Sequence, residues 1–178
     1  MTPDRTALAA RIHRASHLTG TFTLRSGAVS HAYFDKYLFE SDPRLLAAIG
    51  DALSELVPGD VDALAGLETG GIPLAVILAQ TTGLPSLFVR KQAKTYGTCK
   101  LAEGGEVAGR RLLVVEDVVT SGGQAIASIA DLRERGAIVE HAICVIDRQA
   151  GGARALAEIG VDLRPLYTMA ELTAASVD

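Results

Sequence analysis

The feature that most constrains the fold is an uninterrupted apolar run, LLVV, at residues 112–115. Short runs of this kind, rich in β-branched side chains, are typical of strands that are buried on both faces of a parallel sheet. Two acids, Glu116 and Asp117, follow the run directly. Ligands of open α/β sheets bind at the carboxyl ends of the strands, so we predict that this acid pair lies at a ligand-binding edge.

A turn of small residues comes after the acids: Thr120, Ser121, Gly122 and Gly123. Successive backbone N–H groups of such a turn can close on an anion, and the N-terminus of a following helix adds favourable partial charge. The turn therefore indicates a phosphate site, although an ordinary strand–turn–helix connection with Thr120 or Ser121 as N-cap fits the same residues. Because carboxylates repel a phosphate, the acid pair needs a second role, such as binding sugar hydroxyls or holding Mg²⁺.

The rest of the chain alternates between strand and helix patterns. From residue 61 onward they predict strands at 63–66, 86–89, 138–146 and 163–167 and helices at 73–82, 126–135 and 153–159. Because parallel strands need crossover helices, this order predicts an α/β fold with a doubly wound, mainly parallel sheet.

The 178 residues fit a single domain, with an N-terminal hood region at 1–40 and an α/β core at 60–167. In the hood we predict a helix with Thr2 as its N-cap and with Pro3 and Asp4 in its first turn, which runs to about His17, and then a small hairpin. A further helix should extend from Asp42 to Leu56.

Composition and residue spacing argue against several classes of function. A net charge of −4 gives no long-range attraction for nucleic acid, and no segment reaches the roughly 18 apolar residues of a membrane span. The two cysteines are poor evidence for a disulfide framework, so we expect a cytoplasmic protein. The four histidines lack zinc-ligand spacing, and there is neither a Gly-x-Ser-x-Gly elbow nor a P-loop lysine. Any chemistry must therefore rest on charge and positioning.

Two other stretches could meet an anion. The glycine turn GLETGGI at 66–72 joins a predicted strand to a helix, and it fits either a second phosphate grip or a tight connection. The polar segment from Arg90 to Gly109 carries its cations at the front, in Arg90, Lys91 and Lys94. A loop of this length is either functional or a solvated basic loop, and a functional one could close over phosphates.

Several of these motifs carry a family resemblance. The run VEDVVTSGG resembles the phosphoribosyl diphosphate (PRPP) signature of type I phosphoribosyltransferases, and RKQAKTYG resembles the mobile catalytic loop of orotate phosphoribosyltransferases. FTLRSG with the following Tyr33 and Phe34 is similar to the N-terminal motif of the same enzymes, and Arg148 matches their orotate-recognising arginine. Two positions depart from the pattern: Tyr96 stands where many members have His, and Gly70 and Gly71 stand where some have Lys.

The resemblance implies transfer of a phosphoribosyl group from PRPP to orotate, giving orotidine 5′-phosphate for pyrimidine synthesis. It implies catalytic roles for Lys94, Asp117 and Glu116. PRPP contacts are implied for Arg25, Thr69, Gly70, Gly71, Arg90, Lys91, Lys94, Tyr96, Glu116, Asp117, Val118, Val119, Thr120, Ser121, Gly122, Gly123 and Gln124. Orotate contacts are implied for Arg25, Tyr33, Phe34, Thr120 and Arg148. Mg²⁺ would be held mainly by PRPP, with Asp117 or Glu116 reaching it through water.

The resemblance has two further implications. A non-proline cis peptide bond should occur within residues 67–71. The chain should form a homodimer in which the loop from Arg90 to Gly109 completes the partner's site, with no nucleic-acid or membrane partner. The alternatives are another PRPP-dependent purine or pyrimidine phosphoribosyltransferase and a non-catalytic PRPP-binding regulator.

Overall fold

A computed structural model describes residues 4–23, 27–94 and 100–176. Eight strands and seven helices occur in these ranges. The strands are β1 His17–Thr23, β2 Val29–Phe34, β3 Ala63–Leu67, β4 Ser86–Val89, β5 Ala102–Glu103, β6 Arg111–Val119, β7 Ile138–Asp147 and β8 Asp162–Thr168. The helices are α1 Arg5–Ser16, α2 Lys36–Ser41, α3 Pro43–Ser54, α4 Gly71–Thr82, α5 Gly123–Glu134, α6 Gly152–Glu158 and α7 Met169–Ala174.

The predicted parallel sheet is confirmed. Six strands lie in the order β5-β4-β3-β6-β7-β8, and every neighbouring pair is parallel except β4 with β5. The middle strand is β6, which pairs with β3 on one side and β7 on the other. Its residues Leu112, Leu113, Val114 and Val115 are all buried, as their apolar run predicts. The two faces of the sheet are covered by separate hydrophobic clusters, one of which includes α1, α3 and α4 and the other α5 and α6.

Strand β6 is longer than its apolar run. It continues through Glu116 and Asp117 to Val119, because its ladder with β7 extends as far as the Val119–Asp147 pair. The acid pair therefore lies within the last paired residues of the strand rather than beyond its end.

The N-terminal segment forms the predicted hairpin, with β1 and β2 antiparallel and His17 opposite Phe34. The first helix differs from its prediction, because its N-cap is Asp4, whose carboxylate accepts from the Thr6 N–H at 3.0 Å. The predicted N-cap Thr2 and the first-turn Pro3 lie outside the described residues. Helix α2 was not predicted, and Asp35 caps it by accepting from the Tyr37 N–H at 3.1 Å.

The segment from Arg90 to Gly109 is not one continuous loop. Its residues 102–103 form β5, which adds an antiparallel edge strand beside β4, with Phe88 opposite Glu103. Residues 95–99, including Tyr96, lie outside the described part of the chain. Within the described part, no helix is long and apolar enough to cross a membrane.

Candidate functional site

The buried end of β6 holds an acid whose surroundings are unusual for a carboxylate. Asp117 is fully buried. Its Oδ1 accepts from the Val118 N–H at 2.6 Å, and its Oδ2 lies 2.6 Å from Lys36 Nζ at the start of α2. This ion pair ties the hood to the central strand, because one partner follows the hairpin and the other lies in the middle of the sheet.

A second carboxyl group faces the same oxygen. Glu40, one turn after Lys36 on α2, is buried, and the described residues offer no hydrogen-bond donor to its Oε1. A Cβ built on Gly70 would lie 1.7 Å from Asp117 Oδ2 and 2.7 Å from Glu40 Oε1. The two carboxyl groups therefore meet over Gly70, in space that only a glycine leaves open.

Burial and mutual repulsion determine which carboxyl groups of this cluster are ionised. Burial, and then the negative charge of Asp117, raise the pKa of Glu40 to about 9. Burial, and then the contact with Asp117, raise the pKa of Glu116 to about 8. Burial opposes ionisation of Asp117 as well, yet Glu116 and Lys36 hold its pKa below the usual value. At neutral pH the cluster thus carries one carboxylate, on Asp117, beside one ammonium.

The acid pair opens onto a cavity of about 470 Å³ at the carboxyl edge of the sheet. Glu116, Asp117 and Thr120 form its floor, and Tyr33 and Phe34 of the hairpin lie on its wall. The remaining predicted site residues in its lining are Thr69, Lys91, Val118, Gln124 and Arg148. The hood and the sheet edge together therefore gather predicted site residues from five separate stretches of the sequence.

The small-residue turn forms a second cavity of about 330 Å³, lined by Glu116 and residues 118–125, which include Val118, Val119, Ser121, Gly122 and Gly123. Helix α5 begins at Gly123, three residues earlier than predicted, and Gly122 precedes it at φ 79°. No side chain caps this helix start, so the alternative with Thr120 or Ser121 as N-cap is wrong. The uncapped backbone N–H groups can donate hydrogen bonds to an anion.

The other glycine turn shows why its residues are small. The peptide bond between Glu68 and Thr69 is cis, which confirms that prediction. A Cβ on Gly71 would lie 2.2 Å from the Val115 carbonyl oxygen of β6, so this glycine is required by packing against the strand. Glu68 Oε2 accepts from the Lys91 N–H at 3.0 Å and thereby holds the start of the polar segment beside the turn.

Not every predicted residue reaches the cavity. The nitrogens of Arg90 and Lys94 both pair with Glu103 of the β5 edge strand, with Arg90 Nε at 3.6 Å. Neither cation lines the cavity, whereas Lys91 does. The antiparallel β4–β5 pairing brings Glu103 to these cations, which sequence spacing alone did not indicate. Arg25 and Tyr96 lie outside the described residues, and their roles stay predictions.

Sequence reasoning missed Lys36 and Glu40 as site residues. Their spacing of four places them on one face of a helix, which is the single sequence signal they carry. Because α2 has only six residues, no periodic pattern marks it as a helix.

Comparisons with known proteins agree with this geometry. A family model described as a phosphoribosyl transferase domain matches residues 39–159. The chain is 51% identical to the orotate phosphoribosyltransferase of a Nocardioides species, over 98% of this chain and 97% of that protein. It is 46% identical to the orotate phosphoribosyltransferase of Methanocella arvoryzae, over 86% of this chain and 87% of that protein.

A solved structure is similar over nearly the whole chain. The orotate phosphoribosyltransferase of Mycobacterium tuberculosis in complex with PRPP superposes with a TM-score of 0.83 at 32% identity, covering 96% of this chain and 99% of that one. The resemblance inferred from the sequence motifs is confirmed.

Proposed function

Because the chain belongs to the phosphoribosyl transferase family, we propose that it transfers the phosphoribosyl group of PRPP to N1 of orotate. The products are orotidine 5′-phosphate and diphosphate. One observation supports the proposal most strongly: the acid pair lines a cavity edged by Arg148 and two aromatic residues, and Glu116 also lines the adjoining cavity at an uncapped helix N-terminus. This arrangement offers one end to a sugar phosphate and the other to a planar anionic base.

Each part of the cavity meets a different part of the reactants. The N–H groups at the start of α5 bind the 5′-phosphate, and Asp117 with Glu116 binds the ribose hydroxyls. The planar guanidinium of Arg148 donates hydrogen bonds to the orotate carboxylate, and Tyr33 and Phe34 form the wall beside the base. The bond between the anomeric carbon and diphosphate breaks as the sugar gains oxocarbenium character, so fixed charges and exclusion of water provide the stabilisation.

Cations stabilise the departing diphosphate. Lys91 lines the cavity already, whereas Lys94 and Arg90 lie on Glu103 and must leave it to reach the ligand. Closure of the segment from Arg90 to Gly109 over bound PRPP would bring them there. We further propose a cytoplasmic homodimer in which this segment completes the site of the neighbouring subunit.

Mg²⁺ fits this site only as a companion of PRPP. In residues 4–23, 27–94 and 100–176, no group of three His, Cys, Asp or Glu side chains is arranged to hold a metal ion. Mg²⁺ commonly keeps several waters and binds through substrate phosphates and one or two carboxylates. Asp117 or Glu116 would contact it through water, and the ion would offset phosphate charge.

The test is turnover with PRPP, Mg²⁺ and orotate, followed by a panel in which adenine, guanine or uracil replaces orotate. We expect activity with orotate alone. Asp117→Asn should lower kcat by roughly 100- to 1000-fold with an unchanged circular dichroism spectrum, whereas Asp51→Asn, on exposed α3 surface, should not.

Other results would change the assignment. Preference for another base would identify a different phosphoribosyltransferase. PRPP binding without turnover on any base would favour the non-catalytic regulator.

A further inference from the structure

The cavity holds a cation that no motif singled out. Among the described residues that line it, three carry a positive charge: Lys36, Lys91 and Arg148. Lys91 and Arg148 are exposed, whereas the side chain of Lys36 is 34% exposed and already fixed by an ion pair. A fixed, partly desolvated charge acts more strongly on a ligand than a solvated one, because less water screens it.

Lys36 lies where a diphosphate would need a cation. Its Nζ is 2.6 Å from Asp117 Oδ2, and that oxygen would be 1.7 Å from a Cβ on Gly70. The ammonium of α2 therefore contacts the same oxygen that a side chain at residue 70 would meet first, which places it beside the Thr69–Gly70 turn. Helix α2 thus places a positive charge beside a turn that has no basic residue of its own.

Helix α2 itself does not favour a lysine at this position. It occupies the first position of α2, where the positive end of the helix disfavours a cation. Burial works against its charge too, but Asp117 and then Glu116 raise the pKa of Lys36, so the ammonium stays charged. An ammonium has three donors, and the ion pair with Asp117 leaves others for ligand oxygens.

We propose that Lys36 binds the diphosphate group of PRPP, holding Asp117 with one donor and diphosphate oxygens with the others. This inference rests on the proposed function, since it assigns a part of the same substrate. The competing explanation is that Lys36 only positions Asp117, which would make it matter equally for every ligand that contacts the ribose.

Three ligands separate the two explanations: PRPP, inorganic diphosphate and ribose 5-phosphate, each titrated calorimetrically with Mg²⁺. Lys36→Gln removes the charge but can still donate to Asp117. This variant should bind PRPP and diphosphate roughly 10- to 100-fold more weakly than wild type, the range for a lost hydrogen bond to a charged group. Its affinity for ribose 5-phosphate should be nearly unchanged. Lys36→Met is the second variant in case the first does not fold, and Lys36→Arg should restore diphosphate binding.

The matched control is Arg111→Gln. Arg111 pairs with Glu140 at 2.6 Å, so it too is a cation–carboxylate pair on β6, but it lies at the opposite end of that strand. This variant should bind all three ligands within about twofold of wild type.

Two outcomes would overturn the inference. An equal loss of affinity for ribose 5-phosphate and diphosphate would mean that Lys36 only positions Asp117. No loss of affinity for either ligand would mean that Lys36 has no part in the site. Failure of the wild-type chain to bind PRPP would instead refute the proposed function, so the two failures are distinguishable.

Discussion

Gly70 gives the sharpest test of the site because one methyl group would enter its most crowded point. In Gly70→Ala the new Cβ would lie 1.7 Å from Asp117 Oδ2 and 2.7 Å from Glu40 Oε1, whereas real Cβ atoms essentially never come within 3.0 Å of such atoms. A flexible side chain could swing away cheaply. Asp117 cannot, since it is fully buried and held by Lys36 and the Val118 N–H.

The expected cost follows from that overlap. Overpacking a dense interior typically costs about 1–3 kcal/mol, and each kcal/mol lowers Tm by about 2–4 °C in a domain of this size. Gly70→Ala should therefore melt several degrees below wild type by circular dichroism. It should also lose most turnover, because Asp117 must move to admit the methyl group.

Gly59→Ala is the matched control, because no heavy atom lies within 4 Å of a Cβ at that position. It should melt and turn over as wild type does. If Gly70→Ala also behaved like wild type in both assays, Asp117 would not be held against the turn, and the account of the buried cluster would be wrong.

Two other predictions concern subunits and pH. Mixing inactive Lys94→Ala with inactive Asp117→Asn should restore activity if the segment from Arg90 to Gly109 serves the neighbouring site; a dead mixture in which labelled subunits have exchanged would contradict the shared site. The pKa of Glu40 is raised from a usual 4.5 to about 9 in the folded chain, so the folded state binds this proton more tightly than the unfolded state. The free energy of unfolding that this difference contributes at acid pH is therefore lost as the pH rises towards 9. In metal-free buffer, the free energy of urea unfolding should fall less between pH 6 and pH 9 in Glu40→Gln than in wild type or in exposed Glu134→Gln, and identical slopes would refute the assignment.

The sheet was predictable because the apolar residues of each strand indicate on their own that the strand is buried. A four-residue apolar run such as 112–115 can be placed without knowing its neighbours, and alternation with helices then determines that the strands are parallel. The Glu68–Thr69 cis bond came from family resemblance rather than from composition. Strand β6 was predicted too short, since its extension through the acids depends on pairing with β7.

The charged contacts were not predictable, because each joins residues distant in sequence. Nothing near Lys36 indicates that its partner is Asp117, and nothing near Lys94 indicates Glu103. These pairs depend on how α2 packs over the sheet and on the short β5 edge, and both elements are too brief to leave a periodic pattern. Propensity sets the strands and helices, whereas tertiary packing sets the electrostatics of the site.

The two adjacent acids can tolerate a polyanion because their surroundings give them different protonation states. Both line the larger cavity, where Asp117 meets Lys36, and Glu116 also lines the cavity at the start of α5. With its pKa raised to about 8 by burial and by the contact with Asp117, Glu116 carries a proton at neutral pH. Asp117 keeps its charge, which Lys36 balances. The pair that looks doubly negative in the sequence thus presents a nearly neutral surface to the phosphates and one carboxylate to the developing cation of the sugar.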